Sequence, residues 1–127
     1  MIAVTCALII KDGLVLAVQR GTKMKMPLKW EFPGGKMENG ESEQSCLARE
    51  IKEELNLEIE IGDKLSEVVY DYPDFTIRLI PYICRIQSGE LVLTEHRSHQ
   101  WLEKEELLDL DWAEADLPIV RDFLKGI

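Results

Sequence analysis

The stretch at residues 34–57, GGKMENGESEQSCLAREIKEELNL, constrains this chain more than any other. It runs from a glycine pair through a short polar loop into a helix with three glutamates on one side. At about 100° per residue, Glu50, Glu53 and Glu54 fall within roughly a third of the helix circumference. Leu47, Ala48, Ile51 and Leu55 take the neighbouring third, so one face anchors the helix and the other gathers negative charge. Like charges at helical spacing weaken a helix by roughly 0.2–0.5 kcal/mol per pair, so the cluster demands either open solvent or a cation.

Composition narrows the setting. Chains of about 100–150 residues usually form one core, so a single domain over residues 1–127 is expected, and a hydrophobic content of 46% supplies that core. No apolar run approaches the roughly 18 residues of a membrane span, and residues 1–10 lack a basic segment and a small-residue cleavage site. The expectation is a cytoplasmic protein with no membrane segment. Cys6, Cys46 and Cys84 are odd in number and lie in apolar or helical patterns, which suits reduced, buried thiols rather than a disulfide framework or a zinc site. A net charge of −9 argues against duplex DNA or RNA as a partner, because affinity for those polymers comes from cationic contacts to phosphate. A small anionic substrate would need a divalent metal or a few local cations to overcome the overall field.

Along the chain, residues 1–10 read as a buried strand, Lys11-Asp12-Gly13 as a hairpin turn, and residues 14–20 as the returning strand. Residues 21–28, with Lys23, Lys25 and Pro27, form a basic loop. Residues 30–32 are a short strand ended by Pro33-Gly34-Gly35, where glycine allows close backbone approach to a ligand. Ser42 is the expected N-cap of a helix over 43–55, with Glu43 complementing its positive end, and Asn56 ends that helix in the left-handed conformation. Two strands are expected across residues 57–86 around the Tyr72-Pro73-Asp74 turn, then a short strand at 100–102 and helices over 103–108 and 114–125. Strands mixed with two or three helices imply an α/β sandwich.

The chemistry-bearing pattern is more specific than its parts. Three glutamates on a helix, taken alone, read as a solvated face. Here Gly35, five residues, Glu41, seven residues, and then Arg49-Glu50-Ile51-Lys52-Glu53-Glu54-Leu55-Asn56-Leu57 stand in fixed register. That arrangement resembles the Nudix box, Gly-x5-Glu-x7-Arg-Glu-U-x-Glu-Glu-x-Gly-U with U bulky aliphatic, over about residues 35–57, with Asn56 replacing the last glycine. At roughly 6% usage per residue type, the match arises by chance with a probability of about 10⁻⁶, which outweighs the surface reading. The resemblance implies a Nudix-type α/β/α sandwich with a mixed sheet. It assigns Glu50, Glu53 and Glu54, with the Gly34 carbonyl, to a divalent metal, Mg²⁺ or Mn²⁺, for which oxygen donors of this kind are suited. The same resemblance implies that Arg49 orients and partly neutralises the carboxylates, and that Glu41 is a supporting group or a general base.

Phosphate esters carry charge that must be neutralised before water attacks phosphorus, so phosphoanhydride hydrolysis is the implied reaction, with Glu53 or Glu50 as general base. Gln19-Arg20, the run Lys29 to Lys36, and Glu95 six residues before Trp101 resemble the MutT-like nucleoside triphosphate pyrophosphohydrolases across nearly the whole chain. By that likeness Arg20 and Lys36 meet phosphates, Gly34 and Gly35 are substrate-binding through their backbone, and Glu95 is a further metal-proximal carboxylate. His96 and His99 are left at the surface without a role.

The segment Ala115-Asp116-Leu117-Pro118 is similar to the CTP pyrophosphohydrolase branch. An ionised Asp116 only accepts hydrogen bonds, which suits the N4 amino group of cytosine; the alternative is an N-cap of the last helix. Phe32 and Tyr82 either wall the base or belong to the core. The implied reaction converts a nucleoside triphosphate to the monophosphate and pyrophosphate, with CTP, dCTP or 5-methyl-dCTP as substrate. Sanitation of oxidised purines such as 8-oxo-dGTP is the rival substrate class, and a non-catalytic nucleotide-sensing module the rival of another kind. The partner is a small-molecule nucleotide, and monomer and homodimer stay open.

Overall fold

The seam of the fold is β1 (Ile2–Lys11), whose alternating side chains enter two different cores. Cys6 and Leu8 face one, Ala7 and Ile9 the other. In the computed structural model, which describes residues 1–126, β1 pairs in parallel with β7 (Phe75–Gly89). It turns back through Asp12 (φ 53°) and Gly13 (φ 77°) into β2 (Leu14–Gln19). Two positive φ angles in a two-residue loop match the right-handed twist of the strands they join. Strand β2 is flanked by β3 (Trp30–Glu31) and β8 (Ser98–Leu102), both antiparallel, so the sheet is mixed.

The glycine pair lies in a strand rather than a loop. Strand β4 (Gly34–Lys36) pairs antiparallel with β1, and a Cβ at Gly34 would collide with the Thr5 carbonyl. Residues 57–89 also hold three strands where two are expected: β5 (Leu57–Lys64), β6 (Val68–Tyr72) and β7. Strand β7 pairs with β6 up to Leu79 and with β5 from Tyr82 onward. Pro81, which has no N–H to give, falls at that hand-over, so a proline inside a long strand leaves no ladder donor missing.

Helix α1 (Glu43–Leu55) follows its expected bounds because both ends are specified locally. The Ser42 hydroxyl accepts from the Ser45 N–H at 3.1 Å and the Ser45 hydroxyl from the Ser42 N–H at 3.2 Å, closing a reciprocal cap. Asn56 takes φ 60°, filling the role that glycine plays in the family pattern. The helix buries Leu47, Ile51 and Leu55 against Ala7, Leu16 and Ile80, and Cys46 beside the Thr5 hydroxyl, 3.3 Å from its sulfur; Ala48, expected on the apolar face, is exposed. Full burial of a side chain such as Ile51 is worth about 1.5–3 kcal/mol.

The opposite face is covered by a 3-10 helix (Lys104–Asp109) and α2 (Leu117–Leu124), through Leu107, Ile119, Val120 and Phe123. The layers are therefore α/β/α. The first of these elements is a 3-10 rather than an α-helix, and α2 begins three residues later than the expected start at 114, since Ala113 to Asp116 form a turn. Cys6, Cys46 and Cys84 are free and buried, as expected. No described helix is long and apolar enough to cross a membrane.

One connection matters for the site. The chain between β7 and β8 wraps the C-terminal end of α1: the Val92 and Thr94 N–H groups donate to the Leu55 and Glu54 carbonyls, and the Thr94 hydroxyl donates to those of Glu53 and Glu54. Asn56 Nδ2 donates to the Glu90 carbonyl at 3.2 Å. Helix-end carbonyls that would otherwise lack partners thus hold residues 90–96 against the glutamates.

Candidate active site

A cleft of about 490 Å³ opens beside α1, a size typical of small-molecule sites. Glu50, Glu54 and Glu95 bring carboxylates to it, Arg20, Lys25 and Lys36 cations, and Phe32, Tyr72 and Phe75 aromatic surface. Gly34, Gly35 and Asp116 line it as well. Of the residues expected from the sequence, Glu41, Arg49 and Glu53 lie outside the lining but join it through one guanidinium.

Arg49 holds Glu41 through two bonds, from Nε at 2.7 Å and Nη2 at 2.9 Å. Its Nη1 donates to Glu50 at 2.9 Å and to Glu53 at 3.3 Å, and Glu38 stands 3.8 Å from Nη2. One cation therefore serves four carboxylates. The Arg49 guanidinium, helped by the Glu38 N–H, lowers the Glu41 carboxyl to about 2. Glycine at 35 is needed for this arrangement, because a Cβ there would fall on the Glu50 carboxyl group.

Glu54 is the member that Arg49 does not reach. Its side chain is 8% exposed, whereas that of Glu53 is 60% exposed, so the helix divides the two neighbours between interior and rim. Burial first, and then the hydrogen bond and charge of Glu50 and the charges of Glu31 and Glu95, raise the Glu54 carboxyl to about 9. Among the described residues no three Asp, Glu, His or Cys side chains converge closely enough to form a ready-made metal cage. The donor set nonetheless suits a divalent cation: hard oxygens from Glu50, Glu54 and Glu95 face one cleft, and their mutual repulsion is what such a cation relieves.

Two residues without an expected role prove central. His96 is not at the surface: its ring is 1% exposed, with Nε2 2.8 Å from Glu31 Oε2 and Nδ1 3.5 Å from Glu54 Oε2. The second distance is beyond a good hydrogen bond, and Nδ1 is a buried atom without a partner among the described residues, a state costing about 1–3 kcal/mol. Glu31 in turn accepts from Arg20 Nη1 at 2.7 Å. Strand alternation could have pointed to Glu31, which faces away from the core residues Trp30 and Phe32; for His96 the only signal is adjacency to Glu95. His99 is exposed, as expected.

Asp116 is buried at the N-cap position of α2 but does not cap it, because its carboxylate accepts the Phe32 N–H at 2.9 Å. Burial, with the charge of Glu31, raises its carboxyl well above the ordinary range against the opposing effects of the Phe32 N–H and Arg20. Phe32 combines both expectations, lining the cleft while packing on Trp112 with ring centroids 4.7 Å apart. Tyr82 does not wall the cleft. It sits in the core beneath α1, where its hydroxyl donates to Glu43 at 2.6 Å. Tyr72 supplies the aromatic wall instead, its hydroxyl accepting the Ala115 N–H at 3.0 Å.

Comparison with known proteins agrees with this architecture. The NUDIX domain model matches residues 1–123. The chain is 34% identical to the CTP pyrophosphohydrolase of Escherichia coli (strain K12) over 124 residues, covering 98% of this chain and 92% of that protein. It is also 34% identical to the putative 8-oxo-dGTP diphosphatase 2 of Mycobacterium tuberculosis (strain ATCC 25618 / H37Rv), covering 98% and 89%. A solution NMR structure described as DNA mismatch repair protein MutT (family Nudix hydrolase), from methicillin-resistant Staphylococcus aureus 252, superposes with a TM-score of 0.79 at 41% identity, covering 99% and 97%. A family match over almost the whole length, joined to relatives at this identity and coverage, establishes that the chain belongs to the Nudix hydrolases and is a pyrophosphohydrolase.

Proposed function

We propose that the chain, acting as one domain over residues 1–127, hydrolyses a nucleoside triphosphate to the monophosphate and pyrophosphate with Mg²⁺ or Mn²⁺, and prefers cytidine nucleotides: CTP, dCTP or 5-methyl-dCTP. The observation that carries this reading is the single cleft in which surplus carboxylates, phosphate-suited cations and the buried Asp116 meet. Nudix hydrolases work with divalent cations, and here Glu50, Glu54 and Glu95 at the cleft, with the Gly34 carbonyl and with Glu53 at the rim, would hold one. Such a cation supplies charge neutralisation and a more acidic water.

The chain's own groups do the rest. Arg20 and Lys36 face the phosphates, and the Gly34-Gly35 backbone lets them approach closely. Arg49 holds Glu41, Glu50 and Glu53 in fixed relation. Of the two candidates for the base that takes the proton of the attacking water, Glu50 lines the cleft and Glu53 does not, which favours Glu50. Glu41 is then a support for Arg49 rather than a base, consistent with its strongly acidic carboxyl.

Base choice centres on Asp116. One carboxylate oxygen is taken by the Phe32 N–H, leaving the other for a ligand. In its ionised form Asp116 accepts the cytosine N4 amino group, and the name of the Escherichia coli relative supports that edge. Protonated, it also donates, and its raised carboxyl favours that form. An oxidised purine such as 8-oxo-dGTP is therefore the second reading, supported by the name of the Mycobacterium tuberculosis relative. Monomer and homodimer fit the proposal alike.

The test is pyrophosphate release from a panel of canonical and oxidised nucleoside triphosphates with and without Mg²⁺. Metal-dependent release, with the highest kcat/KM for a cytidine nucleotide, is expected. Highest kcat/KM for 8-oxo-dGTP selects the second reading, and no metal-dependent release from any member refutes both.

A further inference from the structure

We propose that His96 is a positioning residue for this reaction, a rigid spacer that sets the Glu54 carboxylate on one side and the Glu31–Arg20 pair on the other. The inference rests on the hydrolase reading above, in which Glu54 faces the divalent cation and Arg20 the phosphates. Four side chains from four parts of the fold form one line. Arg20 follows β2 and donates to Glu31 of β3 at 2.7 Å; the second Glu31 oxygen meets His96 Nε2 at 2.8 Å; and His96 Nδ1 faces Glu54 of α1 at 3.5 Å.

An ordinary core histidine does not account for this placement. Its ring is all but inaccessible, yet two glutamates rather than apolar side chains meet its nitrogens, and one nitrogen is left without a partner. Filling space alone calls for an apolar residue, which would leave no orphaned polar atom. What imidazole adds is two nitrogens fixed in one plane, one donating its N–H to a carboxylate and the other accepting from a carboxylic acid O–H, so that one ring aims two acidic groups and holds them apart. The unpartnered Nδ1 is the atom that Glu54 meets after a shift of well under an ångström. The backbone makes the spacer rigid, since residues 92 and 94 are bonded to the last turn of the helix that carries Glu54. In metal sites generally, partners that orient a ligand are worth about 10–100-fold in metal affinity or activity.

Three variants separate positioning from plain structure: His96→Ala, His96→Asn and His96→Gln. The asparagine amide nitrogen lies where Nδ1 stands, and that of glutamine where Nε2 stands. Mn²⁺ affinity, read by electron paramagnetic resonance without nucleotide, and kcat and KM with CTP and Mg²⁺ are measured on the full chain, with thermal melting to check folding.

His96→Ala is expected to lose about 10–100-fold in Mn²⁺ affinity. His96→Asn is expected to keep Mn²⁺ affinity while raising KM, and His96→Gln to keep KM while losing Mn²⁺ affinity. If His96→Ala does not fold, the crossed pattern of the other two carries the test. Wild-type Mn²⁺ affinity in His96→Ala, or one and the same profile in His96→Asn and His96→Gln, overturns the assignment. A wild-type chain that neither binds Mn²⁺ nor releases pyrophosphate removes the hydrolase reading and this inference together. A fully active wild type with unaltered His96 variants removes this inference alone.

Discussion

Two clusters of charge sit on the same helix, and they are built on opposite principles. At the N-terminal end of α1, Glu43 joins Glu67, Lys64 and Arg78, two carboxylates facing two cations, with the Tyr82 hydroxyl as a further donor. Its members stabilise one another: Arg78 and Lys64 lower the Glu67 carboxyl to about 2, and Glu67 and Glu43 raise Lys64. Toward the other end, Arg49 is the one cation among the described residues that faces Glu38, Glu41, Glu50 and Glu53, and at Glu54 burial first and the neighbouring carboxylates second drive its own up to about 9. A balanced cluster is complete as a piece of structure, whereas a surplus of buried carboxylate is relieved either by a proton, toward which the raised Glu54 carboxyl tends, or by a cation from outside the chain. Composition does not separate the two; both are glutamates among basic residues. The count of cations within reach of each carboxylate does.

The contrast can be broken most sharply at the unbalanced end. Glu50→Gln and Glu54→Gln are expected to lower kcat by about 10²–10⁴-fold, measured as pyrophosphate release. Glu54→Gln is also expected to melt no lower than wild type without metal, because it removes a carboxylate that its neighbours repel; a large loss of stability would contradict this. The next effect concerns choice rather than rate. Asp116→Asn is expected to change the ratio of kcat/KM for CTP and 8-oxo-dGTP by about 10–100-fold, the range of one good contact to a base edge, and an unchanged ratio removes Asp116 from base selection.

At the balanced end, Glu43→Gln and Glu67→Gln are expected to leave kcat and KM unaltered. The smallest effect is a pH dependence of stability. Glu67 titrates near 2 when folded against an ordinary 4.5, so its contribution is fully present above about 4.5 and is lost as pH falls through about 2. Wild type should therefore melt above Glu67→Gln at neutral pH, with the gap closing toward pH 2. A gap that widens on acidification would reverse the sign and refute the pairing.

What the sequence disclosed and what it hid divide along the line between local and distant contacts. The bounds of α1 were legible because Ser42 and Asn56 act on the helix turn they adjoin, and the box glutamates because their spacing repeats along one helix. The glycine pair has the local signature of a loop because its partner, β1, lies some thirty residues away, as the Thr5–Gly35 pairing illustrates. The division of residues 57–72 into β5 and β6 carries no glycine or proline at the break. It follows from how β7 changes neighbours across Pro81.

The site followed the same rule. Asp116 fits a base contact or an N-cap in the sequence, and the cap reading falls only when Phe32, far off in sequence, offers its N–H. Tyr82 fits a base wall or the core in the sequence, and the structure gives it to the core, where its hydroxyl meets Glu43 on the other side of the sheet. His96 and Glu31 gain meaning only when β3, α1 and the connection after β7 meet.

The most direct measurement is the melting temperature of wild type, Glu54→Gln and Glu67→Gln with and without Mg²⁺ at constant ionic strength. A ligand held only by the folded chain at about 100 times its Kd adds about 2.7 kcal/mol, which is several degrees for a domain of this size. Wild type and Glu67→Gln are expected to rise together by that amount and Glu54→Gln to rise little or not at all. Equal shifts in all three, or none in wild type, would contradict the claim that the surplus carboxylates of α1 are completed by a divalent cation.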